Sequence, residues 1–127
     1  MNNLIVKDET AAGQILHELA LQFDNEYISV KDLIEARIKE EVKKYEQNKE
    51  SYTKGLVLPT NLEKRLNNKK ERKIDIEKQM YLAFDAFNKN GYFIFVDDDQ
   101  VEDLDQKFLI EENTKVSFLK LTPLVGG

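Results

Sequence analysis

Apolar positions first gather at Leu4-Ile5-Val6, which opens a short strand, with Lys7, Asp8 and Glu9 following. Thr10-Ala11-Ala12-Gly13 reads as a turn, because Gly13 takes positive φ without steric cost. From Gln14 to Phe23 the pattern alternates. Ile15, His17, Leu19, Leu21 and Phe23 fall on one face, with Glu18 and Gln22 on the other, as in a half-buried strand. The two strands and their turn predict a hairpin. Asp24-Asn25-Glu26 then breaks the pattern.

The period changes at Ser29. Val30, Ile34, Ile38, Val42 and Tyr45 recur at helical spacing, with Leu33 beside them and charges on the opposite face. Ser29 and Asp32 fit a variant capping box at the start of this helix. A second helix is predicted from about Asp75 to Asn90, with Ile76, Met80, Ala83, Phe84 and Phe87 on one face and Asn90-Gly91 as its stop. Tyr92 to Val96 is apolar throughout and predicts a strand buried on both faces. Asp97-Asp98-Asp99 is its turn. Val101, Leu104 and Phe108-Leu109-Ile110 read as short edge segments. Glu111 to Thr114 turns into a last strand over Lys115 to Leu121, which runs into Thr122-Pro123-Leu124-Val125-Gly126-Gly127. A Gly-Gly ending costs conformational entropy to order and packs nothing. It suits a tail that another protein holds in a narrow channel.

The stretch from Gln47 to Lys73 stands apart. It holds an apolar run stopped by Pro59, a short helical spacing at Leu62 and Leu66, and the basic cluster Lys64, Arg65, Lys69, Lys70, Arg72 and Lys73. The cluster reads as a solvated insertion, or as a docking patch for an acidic partner surface or for nucleic acid. No aromatic residue interleaves it, which argues against base stacking on nucleic acid.

Composition narrows the function. The chain has 127 residues and a formal net charge of −5, which gives no electrostatic case for nucleic acid as a partner. The length suits one domain over 1–127, with the insertion at about 47–75 and a flexible tail at 122–127. There is no cysteine, so disulfides, thiolate metal sites and a cysteine nucleophile are excluded. The N-terminus does not read as a signal peptide, and no apolar run reaches membrane-span length. A cytoplasmic protein is the expectation. Nothing internal reads as catalytic, so the chain is not expected to be an enzyme. The acidic run Asp97 to Asp105 lacks the glycine and the glutamate of an EF-hand loop and reads as a solvated turn, so no metal site is expected. His17, the one histidine, is without a patterned second ligand.

The residues Tyr92 to Val101, Phe108 to Ile110, Asn113 to Leu119 and Pro123-Leu124-Val125-Gly126-Gly127 resemble the ubiquitin-like β-grasp superfamily. The likeness is strongest to its bacterial sulfur-carrier branch, and extends to larger bacterial ubiquitin-like proteins found with activating and conjugating enzymes. It is close from Tyr92 onward, loose over the first helix and hairpin, and absent between them. The resemblance implies an α+β fold, a mixed sheet with a packed helix, in which first and last strands lie parallel at the centre. The helical insertion would separate the first helix from the third strand. It further implies a modifier whose Gly127 carboxylate, next to Gly126, is adenylated by a ubiquitin-activating-type enzyme and transferred to a target amine. Pro123, Leu124 and Val125 would contact that enzyme. ATP would be used by the partner, and this chain would bind no cofactor itself. The alternatives are a sulfur carrier forming a C-terminal thiocarboxylate, and a non-covalent self-assembling module. A conjugating enzyme, a target protein and a homo-oligomer are the further partners implied; a membrane is not.

Overall fold

The computed structural model describes residues 2–47 and 75–120. The expected insertion at about 47–75 therefore lies outside the described residues, apart from its two ends, Gln47 and Asp75.

Strand β1 (Asn2–Glu9) turns through Gly13, at φ 86°, into β2 (Ile15–Phe23). Thr10 closes the turn by accepting from Gly13 N–H at 2.9 Å through its carbonyl and from Gln14 N–H at 3.1 Å through its hydroxyl. The pair is antiparallel and regular from Asn2↔Phe23 to Asp8↔His17. The register then jumps to Glu9↔Ile15, which leaves Leu16 as a bulged extra residue. The alternation therefore holds for Leu19, Leu21 and Phe23, which are buried. It does not extend to Ile15, which is exposed.

A short strand, β3 (Tyr27–Ser29), follows the polar break. Helix α1 (Val30–Gln47) begins at once. Its cap is reciprocal: Asp32 N–H donates to Ser29 Oγ and Ser29 N–H donates to Asp32 Oδ2, each at 3.0 Å. Two further free donors of its first turn are satisfied from afar, Val30 N–H by the Gln106 carbonyl at 2.8 Å and Lys31 N–H by that of Leu104 at 2.9 Å.

Helix α2 (Ile76–Asn88) starts on Asp75, whose carboxylate accepts from Lys78 N–H. It ends with Asn90 at φ 61°, Gly91 N–H bonded to the Ala86 carbonyl at 2.7 Å, and Asn90 N–H to that of Phe87 at 3.1 Å. This is the Schellman arrangement, with asparagine in the left-handed position. A Cβ at Gly91 would meet the Ala86 oxygen at 3.1 Å, so the glycine is needed for the close approach rather than for its φ.

Strands β4 (Phe93–Val96), β5 (Asp99–Val101), β6 (Lys107–Leu109) and β7 (Val116–Leu119) complete the fold. Asp97 and Asp98, both at positive φ, make the two-residue hairpin turn between β4 and β5. The main sheet has five strands in the order β2-β1-β7-β4-β5, and β1 and β7 are parallel neighbours in its interior. The molecule is thus α+β with a mixed sheet, and its last strand is central, as expected. The smaller sheet pairs β3 with β6, so the Phe108 segment joins the chain before α1 and not the main sheet's edge.

One expectation needs correction. Tyr92, Ile94 and Val96 are buried, but Phe93 and Phe95 are only half-buried on the other face. Among the described residues both helices contribute to one core with the sheet's inner face, and the outer face is left to partial solvent contact. An unbroken apolar run does not by itself report two covering layers.

The core joins Leu4, Val6, Val30, Ile34, Ile38, Val42, Ala83, Phe87, Ile94 and Phe118 among others. On α2, Ala83 and Phe87 are buried, Met80 and Phe84 half-buried, and Ile76 exposed at the helix start. Ile38 is 3 % exposed. Ile38→Ala should lower the unfolding free energy by about 2–5 kcal/mol, since it deletes a packed branched chain and leaves a cavity. Urea melts of the two proteins measure this. A difference under about half a kcal/mol would mean that the helix face is not tightly packed.

Candidate functional site

The candidate site is the place where β7 hands the chain on toward the Gly-Gly segment. Pro123, Leu124, Val125, Gly126 and Gly127 lie outside the described residues. Lys120 is the last residue described, and its N–H donates to the Glu9 carbonyl at 3.3 Å, one step past the β1–β7 ladder.

Directly inside that point lies a buried ionic cluster. Asp8 shares the inward parity of Leu4 and Val6 on β1, so its carboxylate enters the core at 2 % exposure. Arg37 sits on α1 between Ile34 and Ile38 and is completely buried. Its guanidinium grips both Asp8 oxygens, at 2.5 and 2.7 Å, and its Nε donates to Glu41 one turn along the helix at 3.1 Å. Lys120 Nζ lies 3.5 Å from Asp8 Oδ2. Two acids thus face two bases, and among the described residues no buried side-chain nitrogen or oxygen lacks a hydrogen-bond partner. The Arg37 guanidinium carbon lies 4.5 Å from the Phe118 ring centroid, a cation–π contact. Tyr92, tilted against Phe118 at 5.9 Å, donates its hydroxyl to the Ala83 carbonyl at 2.7 Å. On the outer face Ser117 Oγ donates to the Glu9 carboxylate. β1, α1, α2, the approach to β4 and β7 are therefore tied together at the end of β7.

The electrostatics follow from this packing. Burial alone would raise the Asp8 carboxyl, but the hydrogen bonds and charge of Arg37, with Lys120 and His17, outweigh it and hold the group below the ordinary aspartate value. Burial opposes charge on Arg37, and Glu41 and Asp8 more than compensate, so the guanidinium stays protonated. Burial lowers the Lys120 ammonium despite Asp8 beside it, and raises the Tyr92 phenol, which keeps its proton for Ala83.

A carboxyl whose folded value lies below its unfolded value adds stability above the unfolded value and loses it as pH falls through the folded one. The urea midpoint should therefore drop as pH falls below about 4, the ordinary aspartate range. Asp8→Asn should be less stable at neutral pH and show a flatter acid limb. Parallel acid limbs in the two proteins would remove Asp8 from this role.

Asp8, Arg37 and Glu41 are buried and engaged with one another, and the Lys120 side chain is the more exposed member of the cluster. What the cluster can do is fix the root of the segment beyond Lys120. The acidic run supplies structure: Asp97 Oδ1 accepts from Lys115 N–H at 2.9 Å and Asp103 Oδ1 from Asp105 N–H at 3.1 Å. Among the described residues no group of three acidic or histidine side chains converges as a metal site. His17 is half-buried opposite Asp8. The basic cluster of the insertion lies outside the described residues.

Sequence reasoning did not find Asp8, Arg37, Glu41 or Lys120. Parity could have: Asp8 continues Leu4 and Val6, Lys120 continues Val116 and Phe118, and Arg37 interrupts an apolar helical face with Glu41 one turn on. Comparison with family models, with curated proteins and with solved structures returns no match. Among the described residues no helix is long and apolar enough to cross a membrane.

Proposed function

We propose that this chain is a β-grasp, ubiquitin-like protein modifier that reacts through the Gly127 carboxylate. The observation that carries the reading is the parallel pairing of β1 with β7 inside the sheet, under α1, with β7 running on toward Pro123 to Gly127. β7 is paired on both sides, with β1 and with β4, so the last described strand is held within the sheet. The ionic cluster beneath Lys120 supports the same reading, because it stiffens the end of that strand.

The chemistry is acyl transfer. In a ubiquitin-activating-type enzyme the Gly127 carboxylate attacks the α-phosphorus of ATP, giving the acyl adenylate as pyrophosphate leaves. A thiol of that enzyme displaces AMP and forms a thioester. A target amine then displaces the thiol, directly or through a conjugating enzyme, and an amide remains. Gly126 and Gly127 suit a channel too narrow for side chains, and Pro123, Leu124 and Val125 supply the contacts that seat the tail. All three steps run on the partners' residues, so this chain needs no catalytic group.

Intact mass spectrometry after incubation with ATP and the cognate activating enzyme tests the reading, starting from protein whose mass confirms a free Gly127 carboxylate. An adenylate or enzyme thioester, followed by conjugates on lysine, is the expected result. A mass gain equal to sulfur replacing oxygen would instead assign a sulfur carrier. An unchanged mass would defeat both.

A further inference from the structure

The two edges of the main sheet differ in kind. β5 is three residues long and sits among Asp97, Asp98, Asp99 and Glu102. A short, charged edge resists pairing with another chain. β2, at the other edge, is nine residues long, and its sequence ILHELALQF contains no proline, glycine or lysine. Among the described residues only β1 pairs with it.

We propose that this outer edge of β2 is a self-association surface, on which β2 of a second copy pairs antiparallel about a two-fold axis at Ala20 and joins the two sheets into one.

The register follows from the bulge. Leu16 interrupts the ladder, so the regular part of β2 is His17 to Phe23, and its midpoint is Ala20. An axis there sets Leu19 opposite Leu21 of the second copy, Glu18 opposite Gln22, and His17 opposite Phe23. No like charges oppose one another. The residue on the axis meets its own copy, so a charge there would repel itself; alanine is neutral and small enough for close approach. Leu19 and Leu21, buried on the inner face, would continue the apolar layer across the junction.

The helix above gives a second, independent argument. Along the groove between β2 and α1, the first half of the helix presents Asp32 and Glu35, and the second half presents Lys39 and Lys43, with Glu40 the one exception. A two-fold axis normal to the sheet reverses the helix direction in the second copy. The acidic half of one helix then faces the basic half of the other, which favours this pairing over a parallel one. The proposal uses no residue beyond Lys120, so its failure would leave the modifier reading untouched.

The test uses the full chain. Sedimentation equilibrium at rising concentration should show a monomer–dimer equilibrium. Ala20→Glu sets two carboxylates face to face and should weaken it about tenfold or more, with the circular dichroism spectrum unchanged. Ala20→Cys should form a disulfide-linked dimer on mild oxidation, since facing residues of antiparallel strands lie within disulfide reach. The chain has no cysteine of its own, so the reading is clean. Tyr81→Cys, at 71 % exposure on α2, is the control and should cross-link far more slowly. A monomer at every concentration would overturn the proposal. A dimer indifferent to Ala20→Glu would also do so, as would equal cross-linking at positions 20 and 81. If Ala20→Glu unfolds, the cysteine pair decides.

Discussion

Arg37→Met should destabilise the protein by about 3–5 kcal/mol at neutral pH, because it leaves buried carboxylates without their partner. Methionine keeps much of the aliphatic volume, so the loss is electrostatic rather than a cavity effect. In the native protein Arg37 satisfies Asp8 twice and Glu41 once, at complete burial. Lys120 cannot replace it, since its ammonium, 3.5 Å from Asp8 Oδ2, carries no planar fork for bidentate pairing. The penalty should shrink as pH falls, because protonated carboxyls need no counter-ion. Urea unfolding of both proteins across the acid range measures the size and the trend. Adding Asp8→Leu to Arg37→Met should recover part of the loss, since an apolar pair needs no compensation. A single-variant loss below about half a kcal/mol, or a penalty that grows in acid, would show that the cluster does not stabilise the fold in this way.

Deleting Gly126 and Gly127 should abolish adenylation while leaving the thermal melt unchanged. Neither residue has a side chain to pack, so the fold has nothing to lose. The reacting carboxylate, however, would be displaced by two residues from the nucleotide, and reactions of this type depend on placement to within about an ångström. Gly127→Ala should also impair activation, since its methyl group crowds a channel shaped for glycine. ATP–pyrophosphate exchange by the cognate activating enzyme is the assay, with circular dichroism as the folding control. Equal exchange from full-length and truncated chains would defeat the proposed function.

The separation of these two effects reflects how the molecule is organised. The ionic cluster concerns the folded core at the end of β7, and the glycines concern the proposed acyl transfer by a partner enzyme. Only the second was signalled by residue type. Charged residues read as surface when taken singly. Asp8, Arg37 and Lys120 become interior only once the parity of β1, the apolar arc of α1 and the parity of β7 are superimposed in space.

Features that depend on near neighbours along the chain were legible from residue order alone. The Ser29–Asp32 cap, the Gly13 turn, the Asn90-Gly91 stop and the apolar stripe of α1 each close within a turn or two, so their energies are local and their residues sit side by side. Tertiary structure decided whatever needs a distant partner. Tyr27–Ser29 is a strand only because Lys107–Leu109 lies against it. Phe93 and Phe95 are half-exposed because the helices cover the other face of the sheet. The Leu16 bulge is defined only by the pairing of β2 with β1, whose register shifts between Asp8 and Glu9. Arg37 can be buried because Asp8, 29 residues earlier, and Glu41 meet it there. Charge burial is a property of the assembled partners, and no single stretch of sequence contains it.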